Sequence, residues 1–190
     1  MSDRSWREEL GRLVLTQKIV VGSLIAGAVG FLVVAVVLSS RGAFDAGDDA
    51  TMAWAMNLVL GMFLIGAVAA RMIVPGIMVT QARRKIIAGE WSLPDGPQQT
   101  ELMSVIERTG DAGRLMVAHQ TKTIVAAALI EGVTFFAIIA YMITQSTFAL
   151  AVACGMIAVQ AMHFPTRNGV YGWIETQLRL IEQERAFRGG

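Results

Sequence analysis

Glu131 is the residue whose type and setting most directly imply chemistry. It stands inside the apolar run Thr123–Thr144, TIVAAALIEGVTFFAIIAYMIT. A hydrocarbon core of about 30 Å needs roughly 20 apolar residues at about 1.5 Å each, so this run is long enough to cross a bilayer. Glu131 is eight residues past Thr123, about 12 Å below one interface in a straight helix. An ionised side chain at that depth costs about 2.5–3.5 kcal/mol on insertion scales. A partner, a proton or a wet cavity must offset that cost.

Four other residues qualify as company for the carboxylate. Arg71 lies in the second apolar stretch, 51–80, nine residues before Thr80, or about 13 Å deep if the helix runs that far. Pro75 removes the hydrogen bond to the carbonyl four residues earlier, which is that of Arg71. A cation, a freed carbonyl and a carboxylate at one level would satisfy one another. Alternatively the span ends near Ala70 and Arg71 reaches the interface, as long cationic side chains commonly do. Gln160, in the fourth apolar run, falls within reach of the same layer, and the Thr134 hydroxyl is one turn from Glu131. His163 could pass protons, with an ordinary pKa of about 6.5, or it could cap the carbonyls of a helix end, the role its position favours.

The surrounding elements follow from hydropathy. The 190 residues are 54% hydrophobic and 16% charged, against about 25% charged in a soluble domain. The fold class expected is all-α: a polytopic four-transmembrane-helix bundle with cytoplasmic amphipathic helices. Residues 1–18 read as an amphipathic helix, with Trp6, Leu10, Leu13 and Val14 on one face and Arg4, Arg7, Arg12 and Lys18 on the other. It either lies at the lipid interface or leads, solvated, into the first span. Ser5 and Glu8 fit a capping box there. Residues 19–80 form a first transmembrane hairpin. In its first helix Gly22, Ala26 and Gly30 recur every four residues, a spacing that permits close helix packing. Asp45, Asp48 and Asp49 cluster in the intervening loop without the ligand spacing of a calcium loop, and Asp48 and Asp49 suit a helix start.

Residues 81–122 read as a cytoplasmic helical cap, broken by PDGP at Pro94–Pro97 and by Gly110 and Gly113. Its Arg83, Arg84 and Lys85 serve as an orientation signal or meet anionic lipid head groups. Residues 123–164 form a second hairpin, tight because only Gln145–Thr147 separate its helices. Residues 165–190 form a C-terminal amphipathic helix with Val170, Trp173, Ile174, Leu178 and Ile181 on one face. It lies on the membrane or packs against the cap. The first apolar run is too long for a cleaved signal, whose core spans about 7–15 residues. Lysine and arginine concentrate in the amino end, the 81–122 segment and the tail. The positive-inside rule therefore places both termini in the cytoplasm, with the chain multi-pass in the cell (inner) membrane.

The stretch QTKTIVAAALIEGVTFFAIIAYMI resembles the carboxylate-bearing helix of rotary ATPase c subunits. The likeness lies in the polar approach Gln120–Thr123, the Ala/Leu-rich turn, Glu131 itself and the aromatic-aliphatic exit through Tyr141. Spans two and three also form a hairpin with a cytoplasmic loop and the carboxylate on the second helix. The resemblance implies that Glu131 binds a proton or sodium ion in an oligomeric ring. The chain departs from that family in lacking the alternating-glycine partner helix (Gly61 and Gly66 are what remains), in its long loop and in its two further spans.

Two functions fit the sequence. In the first, Glu131 takes up a proton or cation, Gln160 and Thr134 coordinate it, and Arg71 tunes it, within a homo-oligomer or a larger membrane complex. In the second, the chain is a scaffold or accessory protein in which Glu131 and Arg71 are a structural pair and the cytoplasmic helices bind a partner. Catalysis is not expected: Glu131, His119 and His163 have no spacing that metal or nucleophile chemistry requires. One cysteine, Cys154, offers neither disulfide nor metal site. No cofactor is expected, and the basic residues are spent at membrane edges rather than on nucleic acid.

Overall fold

The computed structural model describes residues 3–43, 50–93 and 99–188. The aspartate cluster of the first loop and the PDGP turn lie outside the described residues. Those described contain six α-helices and no strand. They are α1 (Asp3–Ser40), α2 (Ala50–Ala88), α3 (Gln99–Thr109), α4 (Asp111–Thr144), α5 (Thr147–Met162) and α6 (Arg167–Arg188). Three of them, α1, α2 and α4, are long and apolar enough to cross a membrane, and a fourth span results if α5 and α6 count as one broken helix. By itself α5 has 16 residues, about 24 Å.

The amphipathic and apolar segments are continuous helices. α1 passes from its charged start into its apolar half without a break, and Ser5 therefore lies inside the helix rather than at its cap. α2 continues through Pro75 to Ala88, and α4 carries both the end of the polar cap and the whole apolar run around Glu131. Nothing in Gln17–Val20 or Gln120–Ile124 breaks a helix, so the polarity change leaves the backbone unaltered.

The chain divides into two compact units. One comprises residues 20–73 and 125–164. Its core is built from small and aliphatic residues of four helices: Ala35 of α1, Leu60 and Ala67 of α2, Ile130, Val133, Ala137 and Ile138 of α4, and Ala149, Ala153 and Met156 of α5. The α1 line that packs inside this unit is Val21, Ala28 and Ala35. The Gly22–Ala26–Gly30 stripe is not that packing face. Ala26 and Gly30 are exposed, and only Gly22 approaches a neighbour, its Cβ position lying 3.8 Å from Phe164. Gln145 turns α4 into α5 with φ 53°, and its Nε2 donates to Ser39 Oγ (3.0 Å) at the end of α1.

The other unit comprises residues 1–19, 74–124 and 165–190. Here Trp6, Leu10 and Val14 of α1, Ile86 of α2, Ala112, Leu115 and Met116 of α4, and Val170, Ile174 and Ile181 of α6 share one core. The apolar stripe at the start of α1 is thus packed in protein, with Arg7, Glu8 and Arg12 exposed on its other face. The tail helix packs against the 81–122 segment. Each of these stripes is too narrow to be covered alone, and burying about 25 cal/mol per Å² of apolar surface favours closing them on one another. Charges on the rims pair as well: Arg83 with Glu184 (2.9 Å) and Arg185 with Asp111 (2.8 Å).

Gly110, at φ +60°, ends α3, whereas Gly113 belongs to α4 and lets it approach α3 closely. A Cβ at 113 would meet the Ile106 backbone at 3.1 Å and collide with the Thr109 hydroxyl. Gly113→Ala is therefore expected to destabilise the protein by about 1–3 kcal/mol. Gly172→Ala, with nothing within 4 Å of its Cβ position, should instead gain up to about 1 kcal/mol in helix propensity. Thermal melts of the two variants in detergent check the difference in sign.

Candidate functional site

Glu131 sits on α4 at the edge between its packed and exposed faces. Ile130, Val133 and Thr134 beside it are buried, Gly132 is exposed, and Glu131 itself is half-buried. Among the described residues its carboxylate makes no hydrogen bond and no ion pair. The Arg71–Glu131 pair, one of the two placements open to Arg71, does not form. Arg71 instead donates from Nη1 to the Ala126 carbonyl at 3.2 Å.

The cause is register. α2 and α4 run antiparallel, with Phe63 beside Gly132 (3.9 Å from its Cβ position) and Phe136 (ring centroids 5.6 Å), and Arg71 beside Ala126. A residue level with Glu131 therefore falls within the apolar Phe63–Ala67 segment. Arg71 meets α4 five residues short of Glu131, about 7.5 Å along the axis. Similar counts from Thr80 and Thr123 do not mean similar depth, because both helices continue beyond those residues.

Gln160 does reach the carboxylate's level. Glu131 lies 14 residues before Gln145 and Gln160 lies 14 residues after Ser146, so a tight antiparallel turn brings them abreast. Gln160 continues the buried stripe Ala149, Ala153, Met156 of α5 and is 2% exposed. Neither its amide oxygen nor its nitrogen has a partner among the described residues. An unpaired buried amide costs about 1–3 kcal/mol, which makes this the polar group in the unit with most to gain from a ligand. Thr134 is fully buried, but its hydroxyl donates to the Ile130 carbonyl of its own helix (2.9 Å). One of its lone pairs remains available toward the core. His163 is exposed and serves as the C-cap of α5, with Nδ1 donating to the Val159 carbonyl (2.8 Å). Counted from the turn, Gln160 and Thr134 thus fall near the level of Glu131, whereas Arg71 meets α4 at Ala126 and His163 caps the end of α5.

Other polar residues carry more structure than their sequence setting indicated. Asn57 of α2 buries an unpartnered Oδ1 in the same unit. In the other unit, Gln17 extends the Leu10–Val14 stripe and His119 extends Leu115–Met116. Gln17 Nε2 donates to His119 Nδ1 (3.3 Å), the Trp173 ring packs edge-on to the imidazole (centroids 4.8 Å), and Lys122 Nζ stands 4.2 Å above that indole. The signal was available: each polar residue falls on the helical repeat of an apolar stripe. Among the described residues, no group of three or more His, Cys, Asp or Glu is placed to hold a metal. Comparison with protein-family models, curated proteins and solved structures returns no match.

Burial, helped by the Lys122 charge, pushes the His119 imidazole down to about 4. Above pH ~6.5 folded and unfolded chains both hold it neutral; between that value and about 4 only the unfolded chain gains the proton. Stability therefore falls as pH is lowered through this window, by about 3 kcal/mol in all. Melts of the wild type from pH 7 to 4.5 should show that slope, and His119→Gln should flatten it.

Proposed function

We propose that this chain is an integral membrane protein whose Glu131 binds and releases a proton or a small cation within an oligomeric membrane assembly. The apolar stretches of α1 (from Ile19), α2 (to Thr80) and α4 (from Thr123), together with α5, are its four spans, and both termini face the cytoplasm of the cell membrane. Support for three of the spans comes from the length and apolarity of α1, α2 and α4, for the fourth from the apolar sequence of α5, and for the orientation from the lysine and arginine in residues 1–18, 81–122 and 165–190.

One observation carries the functional part: Glu131 has no cationic or hydrogen-bonding partner among the described residues, although it stands in an apolar helix. A carboxylate whose only task was to fix helix register would be neutralised by its own chain. This one is left at the edge of the packed face, beside exposed Gly132, where a second copy or a water path can reach it. Gln160 and Thr134 supply neutral oxygens on the protein side, which suits a site that must hold an ion and also release it. The scaffold reading depends on an Arg71–Glu131 contact, and Arg71 is engaged with the Ala126 carbonyl.

Glu131→Gln keeps the shape and removes the exchangeable charge. In sealed vesicles made from membranes bearing the full-length chain, that variant should lower proton or sodium flux by about tenfold or more, with insertion and melting unchanged. Equal flux from variant and wild type contradicts the proposal.

A further inference from the structure

A second site lies in the unit formed by residues 1–19, 74–124 and 165–190. α1 and α6 enclose an open groove of about 500 Å³ walled by Arg7, Arg12, Arg167 and Tyr171, with Glu8 as the one carboxylate of its lining. Arg7 is held in place. It pairs with Glu175, lies 5.5 Å from the Trp6 ring and 6.0 Å from the Tyr171 ring, and its carbonyl accepts the Tyr171 hydroxyl (2.8 Å). Arg12 and Arg167 are different: both are exposed, and neither guanidinium has a carboxylate partner among the described residues. Gly11 lines the floor, its Cβ position 3.8 Å from the Tyr171 hydroxyl.

We infer that this groove binds the phosphate of an anionic phospholipid, an inference that rests on the membrane reading above. Charge is the first reason. With Arg7 neutralised by Glu175, the guanidiniums of Arg12 and Arg167 face the one carboxylate of Glu8, and guanidiniums match the planar fork of phosphate oxygens. The first turn of α6, which supplies Arg167, adds the positive end of its dipole. Depth is the second. Arg12 precedes Ile19, the first residue of the apolar half of α1, by seven residues, about 10 Å, from which a long guanidinium side chain can reach a head-group layer that extends about 5–8 Å beyond the hydrocarbon core. The third reason is what lies beside the groove. Leu15 in its wall and Ile19 one turn on are 51% and 62% exposed. They form an apolar track for an acyl chain, which a free phosphate or a soluble anionic protein would not use.

The test uses the full-length protein in nanodiscs of phosphatidylcholine doped with phosphatidylglycerol. Native mass spectrometry then counts the lipid carried out with the protein. Wild type should retain phosphatidylglycerol, and Arg12→Gln/Arg167→Gln should retain about tenfold less with an unchanged melt. Arg179→Gln/Arg188→Gln, which removes the same charge from α6 outside the groove, should retain as much as wild type. Equal loss in both double variants, no phosphatidylglycerol on the wild type, or displacement by millimolar inorganic phosphate each overturns the inference. A chain that enters pure phosphatidylcholine nanodiscs but holds no anionic lipid sinks this inference alone. A chain that enters no nanodisc sinks the membrane reading with it.

Discussion

The structure depends on α4 being one unbroken helix with two kinds of surface. Its first turns carry an amphipathic stripe, Ala112, Leu115 and Met116, that closes with α1 and α6. Its later turns carry Ile130, Val133, Ala137 and Ile138, the largest share of the other core. Because the backbone satisfies its own hydrogen bonds along the whole length, the change from polar to apolar side chains needs no break. That continuity holds Glu131 in place.

Within that constraint, small residues decide what the site can be. Ala137, Ala149 and Ala153 let α4 and α5 close tightly across the Gln145 turn, and tight closure sets Gln160 abreast of Glu131. Gln160 is walled in by the same packing, which leaves its amide with bonds to give. The α2 face at this level is apolar from Phe63 to Ala67, so the chain itself offers the carboxylate neutral dipoles and no countercharge. A proton or a cation fits that arrangement better than a fixed ion pair does.

Much of the architecture was legible in the sequence, because apolar length and helical period are local properties. The apolar runs, the tight turn at Gln145–Thr147 and the three amphipathic stripes could all be read from spacing. Depth and partnership are not local. Arg71 and Glu131 looked level when counted from Thr80 and Thr123, yet helix register is set by which side chains interlock, and Phe63 locks beside Gly132. Similarly, the stripe of Trp6, Leu10 and Val14 could be seen as amphipathic, but its period is the same whether it meets lipid or protein. The Gly22–Ala26–Gly30 spacing was equally plain and did not locate the packed line of α1, which runs through Val21, Ala28 and Ala35. Gln17 and His119 were hidden for the opposite reason: their polarity masked their place on buried stripes.

The central claim is that Glu131 exchanges an ion while held in an apolar setting. Modification by a membrane-permeant carbodiimide, which attacks protonated carboxyls out of bulk water, tests it most directly when the adduct is located by mass spectrometry. In bilayers, Glu131 should be modified ahead of the surface carboxylates, and raising the pH or adding sodium should slow the reaction. If Glu131 is left unmodified, or is modified at a rate indifferent to both pH and sodium, it does not carry an exchangeable ion.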